Sequence, residues 1–290
     1  MNYGLKNRIF FNKVTILGVG LIGASLALAL KKKKLCGHIT GYGRTEDNLR
    51  KAKKKKIIDS LELDLIKACA DSDLIVFSSP VGSFINTAKK IKGSLKKGAI
   101  VTDVGSVKGT IVREMEALMP EGVSFVGGHP IAGSEKAGID KAKANLFSGA
   151  RCILTPTERT DKISLRMITG LWRKISASVT IMSPEEHDRV YAAVSHLPHI
   201  IAYALVNTIT DINSAYLKFA GQGFKDTTRI AASSPELWRD ICITNRENIL
   251  WLLNRFKENL DELAGYLQRG ETKAIEKKFK KAKESRENVR

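Results

Sequence analysis

The apolar positions of the chain fall into short runs separated by polar, helix-patterned stretches. After a polar start, Val14-Thr15-Ile16-Leu17 predicts a buried strand, a glycine-rich turn follows, and the alanine-rich stretch Leu21 to Leu30 predicts a helix. Ile39-Thr40-Gly41-Tyr42 predicts a second strand, Thr45 the cap of a helix through about Lys53, and Leu74-Ile75-Val76-Phe77 a third strand. Ile100-Val101-Thr102 and Val123-Ser124-Phe125-Val126 continue the alternation. Strands alternating with helices imply an α/β fold with a doubly wound parallel sheet.

The pattern changes after Val179-Thr180-Ile181-Met182. Ser183-Pro184-Glu185-Glu186 supplies an N-cap, a first-turn proline and a glutamate three residues past the cap. Beyond it the 3.6-residue periodicity through Tyr203, Leu217, Trp238, Leu253 and Leu263 predicts an all-helical second domain. The expected division is therefore 1–182, dinucleotide-binding, and 183–290, helical, with 277–290 as a frayed basic helix.

Length and composition fit this picture. The 290 residues suit two domains, and 43% hydrophobic with 27% charged residues is a globular balance. A formal charge of +18 would attract polyanions or anionic small substrates. The lysines nevertheless fall in blocks (31–34, 53–56, 277–283) without a recognisable nucleic-acid module, so no nucleic-acid partner is expected. Cys36, Cys69, Cys152 and Cys242 form no C-x-x-C pair and follow no secretory signal, which implies reduced thiols and a cytoplasmic location. No apolar run is read as spanning a bilayer, and no membrane partner is expected.

Gly18-Val19-Gly20-Leu21-Ile22-Gly23 is the G-x-G-x-x-G spacing between a strand and a helix. There Gly18 permits the tight turn, Gly20 the close approach of a pyrophosphate and Gly23 close helix packing, with the backbone of Leu21 and Ile22 opening the helix. This predicts a Rossmann-type cofactor site. Twenty residues past Gly23 stands Gly43, where an NAD site usually has an acid; Arg44 follows, a guanidinium suited to a 2′-phosphate, with Thr45 as a further donor. NADP is thereby favoured over NAD, the alternative being that Arg44 faces solvent and stacks on adenine.

Three later clusters carry chemistry. Asp103-Val104-Gly105-Ser106-Val107-Lys108 follows a strand at the ligand-binding edge of the sheet, so Ser106 is placed either to reach a substrate or to cap the next helix. Gly127 to Glu135 is expected to be a glycine-rich loop whose His129 could take a proton from a hydroxyl. In Ser195-His196-Leu197-Pro198-His199 the proline should kink a helix, and two histidines three apart lack the third ligand a zinc site needs; no metal is expected. Finally Gly221 to Arg229 sets Arg229, a carboxylate fork, three residues after Asp226.

In this order the motifs, above all GGHPIAGSEKAG (127–138) and SHLPH (195–199), resemble the prephenate and arogenate dehydrogenase family of tyrosine biosynthesis. The resemblance implies oxidative decarboxylation of prephenate or arogenate by NAD or NADP, and a homodimer formed through the helical domain. It implies His129 as catalytic base and Ser106 as the residue orienting hydroxyl and nicotinamide. It further implies Arg229 on a substrate carboxylate with Asp226 holding it, His199 lining the pocket, Ser134 and Glu135 near its entrance, and Trp238 reaching in from a partner subunit. Two other readings stay open: a different two-domain dehydrogenase, such as a β-hydroxyacid dehydrogenase, and a non-catalytic dinucleotide-sensing protein.

Overall fold

The computed structural model describes residues 10–133 and 138–288. Six strands, β1 (Phe11–Leu17), β2 (Cys36–Tyr42), β3 (Ser60–Glu62), β4 (Leu74–Phe77), β5 (Ile100–Asp103) and β6 (Ser124–Val126), form a parallel sheet in the order β3-β2-β1-β4-β5-β6. The intervening helices are α1 (Leu21–Lys32), α2 (Glu46–Lys54), α3 (Leu65–Cys69), α4 (Phe84–Ile91) and α5 (Gly109–Leu118). β3, too short to show a periodicity, is the strand of this sheet that the sequence pattern did not reveal.

The central strands read as unbroken apolar runs because both faces of the sheet are covered. Successive side chains go to opposite sides: Leu74 and Val76 join Val14, Ile16, Leu26 and Leu30 in one buried cluster. Ile75 and Phe77 join Leu17, Phe84 and Val101 in the other. Each fully buried side chain of this kind contributes about 1.5–3 kcal/mol. The strand order reverses between β1 and β4, the crevice where ligands bind in open α/β sheets.

A second, three-stranded sheet follows, with β7 (Gly128–Ile131) antiparallel to β8 (Arg151–Leu154) and β8 parallel to β9 (Ser178–Ile181); α6 (Lys162–Lys174) lies between β8 and β9 in the chain. The expected glycine-rich loop at 127–135 is thus in part a strand, and His129 stands opposite Ile153 in its ladder. The glycines and Pro130 concealed it. Pro130 is tolerated because β7 is an edge strand of this sheet.

From Ser183 onward the chain is helical: α7 (Pro184–Tyr191), α8 (Leu197–Asn213), α9 (Gln222–Thr228), α10 (Pro235–Thr244), α11 (Arg246–Arg269) and α12 (Thr272–Glu287). Ser183 caps α7 as expected, its hydroxyl accepting from Glu186 N at 3.1 Å. At Pro198 the helix is not broken. A π-helical turn, Ala192–His196, widens the coil just before the proline and leads directly into α8. The run Pro184–Phe219 is also long and apolar enough, by length and composition, to cross a membrane, with a mean hydropathy of 1.2 and only 17% of that window buried. The sequence reading passed over it because Ser, His, Pro and Asn interrupt the apolar residues.

By its contacts the chain divides after Asn245. The first unit ends there, and the second, Arg246–Arg290, is built from α11 and α12, which turn at Gly270 and are tied by an ion pair between Lys278 and Glu262.

Candidate active site

Two of the three glycines of the turn meet a steric requirement within the protein. Gly18 has φ +103°, and a β-carbon there would lie 2.7 Å from Ser79 N. A β-carbon on Gly23 would lie 2.4 Å from both Gly18 O and Ser78 Oγ, so only glycine lets α1 approach β1 so closely. At Gly20, by contrast, a β-carbon would meet nothing within 4 Å. The helix that starts there has no side-chain cap and no acidic residue in its first turn, leaving backbone N–H groups and the positive end of the dipole for an anion.

Beside the turn lies a cavity of about 690 Å³ whose lining includes Gly18, Gly20, Ser79, Arg44 and Glu236. The open backbone at Gly20, the uncapped helix and this volume fit a dinucleotide. The Arg44 side chain is 81% exposed, with its Nη1 3.5 Å from Glu236 Oε1, and both residues line the cavity. Thr45 is the N-cap residue of α2, yet its hydroxyl makes no capping bond, and the residue lines the cavity.

At the end of β5 a fully buried ion pair joins Asp103 and Lys108. Asp103 Oδ2 also accepts from Gly105 N at 2.8 Å and Oδ1 from Gly128 N at 3.0 Å. Burial pushes the Asp103 carboxyl up in pKa, opposed by the Lys108 ammonium and these two amides. One carboxylate therefore fastens the residue before Ser106 and the residue before His129. Ser106 itself is half-buried and does not cap α5; that helix is capped from α7, where Asp188 accepts from Lys108 N and Gly109 N, both at 2.8 Å.

His129 sits among aromatic rings. Its Nδ1 lies 2.8 Å from His187 Nε2, and the Tyr191 ring packs edge-on at 4.9 Å. His187, fully buried, reaches Asp188 Oδ1 through its own Nδ1 at 2.8 Å. Burial pushes the His129 imidazole well below its ordinary pKa, helped by the neighbouring His187 and His196 imidazoles, with which it would compete for a proton, and by the Lys108 ammonium. Burial likewise drives His187 down to about 2 and His196 to about 4. Asn245 Nδ2 links Asp188 O at 2.8 Å to His196 Nδ1 at 3.1 Å.

His199 stacks on Trp238 with ring centroids 3.6 Å apart and 21° between planes. Trp238 was expected from a partner subunit; here it packs against a histidine of its own chain and is buried with Val107 and Ile241. The two histidines of SHLPH have different partners, His196 bonding Asn245 and His199 Nδ1 bonding Ser195 O at 2.9 Å. Burial lowers the His199 pKa, and the Arg229 guanidinium adds to it against the Ser195 carbonyl. Asp226 accepts from Gln222 Nε2 at 2.7 Å, one helical turn back. Ser134 and Glu135 lie outside the described residues.

The sequence reading missed His187, Asp188 and Asn245, and noted Lys108 only as part of a motif. The available signal was His187 and Tyr191, four apart just after a strong helix cap and so on one face of α7. Asn245 gave none, because its role depends on a tertiary contact.

A doubly wound sheet with this turn at its switch point, joined to helices that bring further polar side chains to the same edge, defines an oxidoreductase using a nicotinamide dinucleotide. The nucleotide-binding domain of prephenate dehydrogenase matches residues 26–181, and the dimerization domain of prephenate dehydrogenase matches residues 183–281. The chain belongs to the prephenate dehydrogenase family. It is 35% identical over 280 residues to prephenate dehydrogenase of Bacillus subtilis, covering 95% of this chain and 76% of that protein. Prephenate dehydrogenase from A. aeolicus, solved with hydroxyphenyl propionate and NAD+, superposes with a TM-score of 0.90 at 38% identity, covering 96% of this chain and 98% of that one. Synechocystis arogenate dehydrogenase gives 0.79 at 30% identity, covering 96% and 100%.

Proposed function

We propose that the chain oxidatively decarboxylates prephenate or arogenate, with His129 as the base and Ser106 orienting the substrate hydroxyl. The observation that carries this reading is the single buried carboxylate of Asp103, which fixes the residues preceding both side chains at the carboxyl edge of the sheet. Bound nicotinamide supplies the hydride acceptor. The protein's part is to align and to move one proton. His129, kept neutral by burial, takes the proton from the ring hydroxyl as hydride leaves the same carbon and the opposite ring carbon releases carbon dioxide. Aromatisation supplies the driving force. Arg229 binds a substrate carboxylate, supported by Asp226, and His199 lines the pocket, with Trp238 stacked on it; Ser134 and Glu135 are further candidates for substrate binding. The proposed domains are 1–182 for the cofactor and 183–290 for substrate and dimerisation.

Arg44 offers the charge a 2′-phosphate needs, so NADP is favoured, while Glu236 competes for the same guanidinium and keeps NAD accessible. A steady-state assay crossing prephenate and arogenate with NAD and NADP tests the reading. Reduction of cofactor dependent on either substrate is expected, with the lower Michaelis constant for NADP. A clear preference for NAD would remove Arg44 from its role, and no turnover with either substrate would defeat the assignment in favour of another dehydrogenase or a sensing protein.

A homodimer is part of the reading. Val194, Ile212, Tyr216 and Phe219 are exposed apolar side chains on the run that ends at Phe219, and a second copy would cover them. A cytoplasmic location accords with the free thiols of all four cysteines.

A further inference from the structure

Asp188 Oδ1 accepts from Lys108 N, and its Oδ2 from Gly109 N; both backbone amides can only donate, so the carboxylate is an acceptor on both oxygens. His187 Nδ1, 2.8 Å from Oδ1, must then carry a proton and donate it. His187 is fully buried and neutral, which leaves its Nε2 as a bare lone pair. The nitrogen facing that lone pair at 2.8 Å is His129 Nδ1, and it can complete the bond only as a donor. The ring has little freedom to escape this arrangement, since its backbone is held in the β7–β8 ladder and Tyr191 packs against it.

We propose that His187, oriented by Asp188, is a positioning residue that holds the proton of His129 on Nδ1 and so keeps His129 Nε2 open as the proton acceptor before substrate arrives. The proposal rests on the assignment of His129 as base. One proton moves: it passes from the substrate hydroxyl to Nε2, the protons on the two Nδ1 atoms stay in place, and the Nδ1–H bond from the resulting imidazolium to His187 becomes charge-assisted. The other titratable groups around the pair are Lys108, Asp103, His196, Tyr191 and Cys152.

Two experiments test it. The chain has only 5 histidines, so long-range proton–nitrogen correlation spectra of histidine-labelled protein can be assigned with His129→Asn as a guide. The expected result is the Nδ1–H tautomer for both His129 and His187; an Nε2–H tautomer at either overturns the proposal. In the second, His187→Gln keeps an acceptor near the Nε2 position, whereas His187→Phe fills the space without one. The Phe variant should lose roughly 10- to 100-fold in kcat, the range for losing the partner that orients a functional imidazole, with substrate KM and cofactor affinity little changed. Its acid limb in kcat/KM should move to lower pH, because the imidazolium has lost its acceptor, while the Gln variant retains most activity and the original limb. Equal damage from Gln and Phe, or an unmoved limb in the Phe variant, would make His187 merely structural. Failure of the underlying reading is a separate result: His129→Asn would then remain active whatever the His187 variants do.

Discussion

Lys108→Met should leave Asp103 without its countercharge in a fully buried site, where both side chains have no exposure at all. Breaking a buried pair on one side typically costs about 3–5 kcal/mol. The chemistry sets a ceiling within that range. Asp103 can escape by taking a proton, and at pH 7 that costs about 4 kcal/mol relative to its ordinary carboxyl pKa. The protonated folded form and ionised unfolded form then differ by one proton, so the deficit shrinks as pH falls, to about 2 kcal/mol at pH 5.5. Urea unfolding of wild type and variant at the two pH values measures both numbers, and thermal unfolding near neutrality should show a drop of roughly 10 °C. Asp103→Asn combined with Lys108→Met should recover most of the loss, since no buried charge remains. A deficit under about 1 kcal/mol at pH 7, or one that is equal at both pH values, would refute the claim that this pair is an ionised clasp.

Other outcomes follow from the same geometry. Arg229→Ala should raise the substrate KM roughly 10- to 100-fold, the worth of a charged hydrogen bond, with a much smaller change in kcat; unchanged KM would take Arg229 out of the substrate site. His187 and His196 are buried neutral with depressed pKa values, so the unfolded chain binds more protons below about pH 6.5 and stability falls as pH drops. Between pH 7 and pH 5 each should cost about 2 kcal/mol, and a flat urea-unfolding profile across that range would contradict their burial as neutral rings.

The architecture was legible wherever one local rule governed a residue. Leu74 to Phe77 must be a covered strand because four consecutive apolar residues have no polar face to turn to water, and Ser183-Pro184 announces a helix by chemistry confined to its own backbone. The glycine turn was readable because Gly18 and Gly23 each answer a separate steric demand and Gly20 leaves the backbone open between them. β7 was hidden because Gly128 and Pro130 oppose strand propensity locally, and only the ladder with β8 makes the segment extended. Among site residues, His129 stood out in an unusual motif, while His187 and Asp188 looked like an ordinary polar turn of α7. Their meaning comes from Lys108 and Gly109, about eighty residues earlier, through contacts that no spacing within α7 encodes. Trp238 shows the converse: the family resemblance implied a contribution across a subunit boundary, and the stack on His199 of the same chain is a tertiary contact that no spacing announced.

The most direct test of the account is turnover and cofactor binding in His129→Asn. With prephenate or arogenate and the preferred nicotinamide cofactor, the variant should lose roughly 10²- to 10⁴-fold in kcat, the usual contribution of a general base, while its dissociation constant for the cofactor stays at the wild-type value. Near-normal turnover with intact cofactor binding would show that the proton leaves by another route and contradict the site as described.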